Sequence, residues 1–298
     1  MIEACLLGCG GVMPLPSRAL TSLFLRYSGR AILIDCGEGT QTSLRKCEMK
    51  YSQIDVIMFT HLHADHISGI VGLLLTFGLE GRTEPLTVYG PVGVMAAVES
   101  MRIIARDLPF EIIYHELSGT VSEFDEIGLK ITAFPVSHSV PCLGYRIDLE
   151  RAPKFDISKA KALGIPVKLW SYLQNGESID GYDPCDVLGE QRRGISILYA
   201  TDSRPTETIE ALGGGVDLLI LEGMYGDPEL KEKAMAAGHM MTYEAAELGA
   251  RLKPKQLWLT HYSPQMSEPE IYEEELKSIF RGTILGYDSL FRILRFEN

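Results

Sequence analysis

Apolar positions in this chain fall into short runs, each closed by glycine or by a small polar cluster. Runs of that kind suit buried strands better than helices. Residues 4–7 form the first and end at Gly8-Cys9-Gly10-Gly11. Residues 21–26 and 30–35 follow, joined at Ser28-Gly29. Residues 54–59, 86–89, 195–200, 218–221 and 256–260 read the same way, and strands dominate 111–147. Helices are predicted from 41 to 46 and over 69–77, 92–104, 242–252 and 268–278. Strands in two blocks, each followed by helices, predict two sheets packed face to face with helices outside. No internal sequence repeat emerges.

Composition sharpens this only in part. At 298 residues and 46% hydrophobic content the chain can bury a large core, and layered α/β folds of this size are often one unit. A net charge of -12 argues against a whole-surface nucleic-acid binder but leaves room for a local basic patch. None of the six cysteines forms a CxxC pair. Cys5, Cys9 and Cys36 sit in apolar or glycine-rich settings and read as small core residues, which suggests a reducing compartment. The start, Met1-Ile2-Glu3-Ala4, lacks the basic region of a signal peptide, and no apolar run is long enough to cross a bilayer. A cytoplasmic protein with no membrane partner is expected.

Segment 151–193 differs in character. Its seven basic and six acidic residues give it a net charge of +1, against -13 for the rest of the chain. Lys154, Lys159, Lys161 and Lys168 crowd its first half, close to Trp170 and Tyr172. Such a segment reads either as an arm that grips a phosphate backbone or as a solvated loop with a small apolar foot.

The chemistry concentrates in Thr60-His61-Leu62-His63-Ala64-Asp65-His66, which holds three of the seven histidines. It follows the apolar run 54–59, so a tight turn at a strand end aims His61, His63, Asp65 and His66 into one volume. Imidazole and carboxylate together suit zinc, and also manganese or iron. His138, Asp202 and His261 each stand just past a later apolar run. Taken together they make seven ligands for two metals: His61, His63 and His138 for one, Asp65, His66 and His261 for the other, with Asp202 bridging. His239 lies just before the helix that begins near Thr242 and is a candidate proton donor or a helix-cap residue. Asp35 reads either as an orienter of the ligand loop or as a turn residue. His115 reads as surface.

These residues carry a resemblance. His61-Leu62-His63-Ala64-Asp65-His66 matches the HxHxDH signature of the metallo-β-lactamase superfamily. Within it, the chain resembles the ribonuclease Z family, endonucleases that process transfer RNA at its 3′ end. Leu7-Gly8-Cys9-Gly10-Gly11, Asp35-Cys36-Gly37-Glu38-Gly39-Thr40-Gln41, Gly144-Tyr145-Arg146-Ile147, Asp202-Ser203-Arg204-Pro205 and Leu259-Thr260-His261 carry it over nearly the whole chain. The resemblance implies an αββα four-layer sandwich as one domain over 1–298, with 151–193 as an inserted arm. It implies two zinc ions, Glu222 paired with His239, and a homodimer whose arm holds transfer RNA bound to the partner subunit. Arg18 and Lys168 become expected substrate contacts.

Several loops depart from the family pattern. Pro14-Leu15-Pro16-Ser17-Arg18-Ala19 stands where a Pro-x-Lys-x-Arg-Asn pattern is usual. Leu221-Glu222-Gly223-Met224 keeps only the glutamate of a His-Glu-Ala-Thr box, and His239-Met240-Met241 only the histidine of His-Ser-Thr. Three readings therefore stand: a dizinc endoribonuclease acting on precursor transfer RNA, a dizinc phosphodiesterase acting on a small or cyclic diester, and a metal-dependent binding protein without turnover. Asp65, as orienter of the attacking water, with His239 and Glu222, speaks for catalysis.

Overall fold

The apolar runs become strands, and the turns between them carry the polar clusters. The computed structural model describes residues 1–297. The chain runs β1 (Ile2–Gly8), β2 (Ser22–Tyr27), β3 (Arg30–Ile34), α1 (Thr40–Lys46), β4 (Ile54–Met58), α2 (Ala64–Ile67), α3 (Ile70–Leu79), β5 (Leu86–Pro91), α4 (Val94–Met101), β6 (Ile112–Leu117), β7 (Ser122–Glu126), β8 (Leu129–Val136) and β9 (Cys142–Arg151). An insertion then holds α5 (Ile157–Ala162) and α6 (Trp170–Gln174). The chain continues through β10 (Arg192–Ala200), α7 (Glu207–Gly213), β11 (Leu218–Glu222), α8 (Lys231–Ala237), α9 (Thr242–Leu252), β12 (Gln256–Thr260), α10 (Glu273–Ile279), β13 (Thr283–Leu285) and β14 (Leu290–Leu294).

The strands form two sheets, ordered β14-β1-β2-β3-β4-β5-β6 and β7-β8-β9-β10-β11-β12-β13. In each, the contacts are antiparallel up to the fourth strand and parallel beyond it. Alternation within the strands explains the layering. Leu6, Leu23, Leu25, Ile32, Ile34, Val56 and Met58 share one core with Ile131, Tyr145, Ile147, Ile197 and Tyr199 of the other sheet. Their neighbours Cys5, Leu7, Phe24, Leu33 and Ile57 belong instead to a second core, with Leu44 of α1, Leu73, Leu74 and Phe77 of α3, and Val94 and Val98 of α4. Strands buried on both faces read as unbroken apolar runs, which is why these were legible. On the other side, Ile209, Ala245, Leu248 and Leu276 bring α7, α9 and α10 onto the second sheet. Helix, sheet, sheet, helix is the αββα sandwich. Cys5, Cys9 and Cys36 are buried, and all six cysteines are free.

Some elements were not predicted. Helices α7 and α8 and the short strands β13 and β14 are absent from the sequence reading. Strand β14 has a mostly exposed side-chain pattern, and its place is set by antiparallel pairing with β1, from Leu290 beside Leu6 to Leu294 beside Ile2. The run predicted as one helix over 92–104 is α4 followed by a 3-10 turn, Arg102–Ile104. The insertion is helical and has its own small core of Ala160, Ile165, Leu169, Leu173 and Val187. Asp156 caps α5 by accepting from the Ser158 and Lys159 N–H groups at 2.9 and 3.0 Å. Its root is a strand pair, with Arg151 of β9 opposite Arg192 of β10.

The turn after β3 is laced to the turn after β4. Cys36 N–H donates to the His66 carbonyl at 2.7 Å, and Gly69 N–H donates to the Cys36 carbonyl at 2.9 Å. A Cβ on Gly69 would lie 2.0 Å from the Gly37 carbonyl oxygen. Gly69→Ala is therefore expected to destabilise the protein by about 1–3 kcal/mol, as overpacking does. Urea denaturation midpoints check this; an unchanged midpoint would show that the two turns part freely.

Candidate metal centre

Six strands end at one place. Asp35 follows β3, the histidine cluster follows β4, His138 follows β8, Asp202 follows β10, Glu222 closes β11 and His261 follows β12. The backbone at these ends is bent hard. Asp35, Asp202 and His261 have φ of +63°, +52° and +58°, and Val12, on the turn after β1, has +69°. Left-handed conformations cost non-glycine residues energy and cluster where the surroundings enforce them. Here the bend turns each side chain back between the sheets. Helix α2 begins at Ala64 with His63 as its N-cap and presents Asp65 and His66 from its first turns.

The donor atoms converge. His61 Nε2 lies 2.9 Å from His63 Nδ1, and His138 Nε2 lies 3.3 Å from the same nitrogen. His66 Nε2 lies 3.2 Å from His261 Nε2, and Asp65 Oδ2 lies 3.3 Å from that atom. Asp202 Oδ2 stands 3.2 Å from His66 Nε2 and 3.3 Å from His261 Nε2, while its Oδ1 is 3.8 Å from His61 Nε2. The structure thus gathers all seven predicted ligands, grouped as His61, His63 and His138, as Asp65, His66 and His261, and as His61, His66 and Asp202.

These donors fit a divalent metal. Asp202 Oδ2 and His261 Nδ1 are buried without a hydrogen-bond partner, although buried polar atoms are normally satisfied. The protonation pattern is divided. Burial and the neighbouring His66 push His61 down to about 2, so it is a neutral imidazole, the form that ligates. Burial opposes charge on His66 too, but Asp202 and Asp35 overcome it and hold His66 well above its usual value. Burial works against the Asp65 and Asp202 carboxylates, yet the surrounding imidazoles hold both far below the carboxylate range. Two ionised carboxylates beside the neutral His61 ring make a hollow rich in lone pairs.

Supporting groups fix the donors. Asp35 is fully buried and accepts from Thr60 N–H at 2.8 Å, while its Oδ2 lies 2.9 Å from His66 Nδ1. It sets the His66 ring with its other nitrogen toward the cluster, so of its two sequence readings the structure favours the orienter. Val12 N–H donates to Asp65 Oδ2 at 2.7 Å. A Cβ on the preceding Gly11 would meet the His261 ring at 2.6 Å, so only glycine lets this turn close over the site. Burial raises Glu222, which accepts from Ser203 N–H at 2.5 Å and lies 3.0 Å from His239 Nδ1. Burial opposes charge on His239, but the Glu222 carboxylate outweighs it and holds His239 up at about 9.

One feature had no local sequence signal. Arg204 donates to both Glu244 carboxylate oxygens and to the His239 carbonyl, each at 2.6 Å. Glu244 also accepts from Met241 N–H at 2.9 Å. This knot ties the turn after β10 to the segment holding His239. Only the glutamate, the third residue of α9, carried a hint, as a capping residue.

Arg18 and Lys168 part company. Arg18 is buried, and its guanidinium donates to the Met266 and Ser267 carbonyls at 2.8 and 3.0 Å. Arg18, expected as a substrate contact, holds the turn after His261 through these bonds. Lys168 is exposed on the arm, away from the cluster in sequence. His115 is exposed and stacks on Tyr89, with ring centres 4.7 Å apart.

Comparison with known proteins agrees with this geometry. The beta-lactamase superfamily domain matches residues 30–157 and 163–262. The chain is 46% identical to ribonuclease Z of Clostridium acetobutylicum, over the full length of both. It is also 46% identical to ribonuclease Z of Clostridium kluyveri, again over the full length of both. Among solved structures, the short form of human tRNase Z superposes with a TM-score of 0.73 at 25% identity, covering 99% of this chain and all of that one.

Two substitutions probe the supporting groups. Asp35→Asn is expected to weaken metal binding by roughly 10–100-fold, the usual cost of losing a group that orients a ligating histidine. Competition with a chromogenic chelator reads it, and undiminished affinity would remove Asp35 from that role. Arg204→Gln is expected to keep the metal content and lower hydrolytic kcat by about tenfold, the scale of one charge-assisted hydrogen bond. Steady-state kinetics with metal analysis checks this; a loss of metal instead would make Arg204 a purely structural tie.

Proposed function

The chain belongs to the ribonuclease Z family of the beta-lactamase superfamily and is a metal-dependent hydrolase; from that premise we propose that it removes the 3′ trailer from precursor transfer RNA. The cut would leave a 3′-hydroxyl on the transfer RNA and a 5′-phosphate on the trailer. The observation that carries this reading is the His239–Glu222 pair, 3.0 Å apart and seated against the ligand cluster, where His239 Nδ1 is 3.9 Å from Asp202 Oδ1. A ligand cluster alone would suit many superfamily chemistries. A charged proton donor beside it suits the expulsion of an alkoxide.

Two divalent ions are part of the proposal, zinc in the first place, with manganese or iron as substitutes. His61, His63 and His138 would hold one, Asp65, His66 and His261 the other, and Asp202 would reach both. When bound, such ions supply Lewis acidity, which stabilises charge on the phosphate oxygens and makes water ionise near neutral pH. Asp65 orients the attacking water and takes its proton, while the Val12 N–H fixes one carboxylate oxygen. His239 gives its proton to the departing 3′-oxygen, and Glu222 stabilises the imidazolium until that moment.

The arm, 151–193 within a single domain over 1–298, is proposed as the exosite for the transfer-RNA body. Lys154, Lys159, Lys161 and Lys168 are all exposed on it. A homodimer, in which each arm serves the partner's active site, belongs to the same proposal, as does a cytoplasmic setting. Exposed Leu79, at the end of α3, and Ile103 and Ile104, just after α4, offer apolar surface for such a contact. Among the described residues no helix is long and apolar enough to cross a membrane. A small or cyclic phosphodiester is the second reading. The burial of Arg18 favours it, since one expected RNA cation is unavailable.

The test is incubation with a 3′-extended precursor transfer RNA, with His61→Ala as control and a small chromogenic diester alongside. One cut at the trailer junction, absent in the control, is expected. Turnover of the diester without RNA cleavage would move the function to the second reading. Replacing 153–190 by a short Gly-Ser linker is expected to lower kcat/KM on the RNA by roughly a hundredfold or more, as lost phosphate contacts do. Diester turnover should stay within about twofold, because the metal centre lies outside the arm. Equal losses on both substrates would make the arm structural.

A further inference from the structure

A concavity is built on turns that leave two of the strands ending at the metal centre. It has a volume of about 260 Å³ and sits between the turns after β11 and β12, walled by Tyr225, Asp227, Met266, Ser267, Glu268 and Tyr272. Those turns leave the strands that end in Glu222 and His261. The Tyr225 carbonyl accepts from Thr242 N–H at 2.8 Å, and the Tyr225 backbone bridges to Met241. One wall is therefore bonded to the segment that carries His239. Ser263 N–H donates to the Met224 carbonyl at 3.0 Å and joins the two turns.

The cavity is built rather than left over. Arg18, only 9% exposed, grips the Met266 and Ser267 carbonyls and lies over the Tyr262 ring at 5.3 Å. The Tyr272 ring packs so close to Gly226 that a Cβ there would come within 2.1 Å of it. Walls held this way need no ordering when a ligand arrives. Their chemistry is selective. Tyr272, half-buried, offers aromatic surface in front of the buried Tyr225, whereas Asp227 and Glu268 are exposed carboxylates, and no lysine or arginine is among the lining residues. One Asp227 oxygen accepts from Glu229 N–H at 3.0 Å, which leaves the other free. The nearby Lys233 ammonium is occupied by Gln265 Oε1 at 3.4 Å and by the Tyr225 ring at 5.2 Å. A phosphate is repelled by such a rim. A planar base with an amino edge is accepted, through stacking and through N–H donation to the carboxylates. The volume lies below the usual range of roughly 300–1,000 Å³ for whole small-molecule sites, which suits a base without its sugar and phosphate.

We propose that this cavity receives the base of the last retained nucleotide of the RNA and favours adenine, cytosine or guanine over uracil. The inference rests on the function proposed above. The departing 3′-oxygen belongs to that nucleotide and takes its proton from His239. The nucleotide therefore lies on the His239 side of the cluster, and the Tyr225 wall of the cavity is hydrogen-bonded to the segment that carries His239. Uracil alone of the four bases has no exocyclic amino group to offer Asp227 and Glu268.

The experiment uses four precursor transfer RNAs that differ only in the last retained nucleotide. It compares kcat/KM for the wild type, Glu268→Gln, Asp227→Asn and the double variant, each preparation normalised to its turnover of a small chromogenic diester. The wild type is expected to cleave the uridine precursor about tenfold more slowly than the others, the scale of one base-edge contact. The double variant is expected to level the four rates. Equal rates in the wild type, or a bias that persists in the double variant, would overturn the inference while leaving the endoribonuclease reading intact. Diester turnover with no precursor cleaved would remove both.

Discussion

Imidazoles and carboxylates crowded together out of water are the constraint to which the rest of this structure answers. His61, His66, Asp35, Asp202, Glu222 and His261 are each almost fully buried. Charges in such a place are costly unless each is matched by an opposite charge or a hydrogen bond. The fold meets that demand by ending six strands at one point, where main-chain amides and second carboxylates are dense. Thr60, Ser203 and Val12 each give an N–H to a carboxylate of the site. What stays unmatched in the hollow itself is Asp202 Oδ2.

The two sheets answer the constraint in the same way. Each turns from antiparallel to parallel at its fourth strand, β3 in one and β10 in the other. Asp35 comes directly after β3 and Asp202 two residues after β10, both in the left-handed conformation. At the ends of the fifth strands come the histidine cluster, just past β4, and Glu222, the last residue of β11. The halves share this plan without a visible sequence repeat. Their roles divide: Asp35 supports a ring from behind, and Asp202 faces the hollow itself.

Charge is arranged with equal economy. Outside segment 151–193 the chain carries a net -13. A polyanion approaching it meets repulsion that salt screens beyond about 8 Å. Attraction is left to local features, the exposed lysines of the insertion among them. The carboxylates beside Tyr225 and Tyr272 add discrimination, because they turn phosphate away from a cavity that still admits aromatic groups.

Much of this was legible in the chain itself. Strands buried on both faces announce themselves as apolar runs, and a ligand past a strand end is a short-range pattern. The strand blocks, the sandwich they imply and the convergent histidines and aspartates follow from such local signals. Strand β14 was not legible, since its exposed pattern gains meaning only beside β1. Neither was the fate of Arg18, whose carbonyl partner Met266 lies 248 residues away. The same holds for the grip of Arg204 on Glu244, 40 residues on, and for the cavity between two turns. The sequence by itself determined which residue types meet at strand ends, because alternation and turn chemistry act over a few residues. Only the tertiary structure decided which charges stay free for a ligand and which are consumed as ties, because that depends on partners brought together by packing from distant parts of the chain.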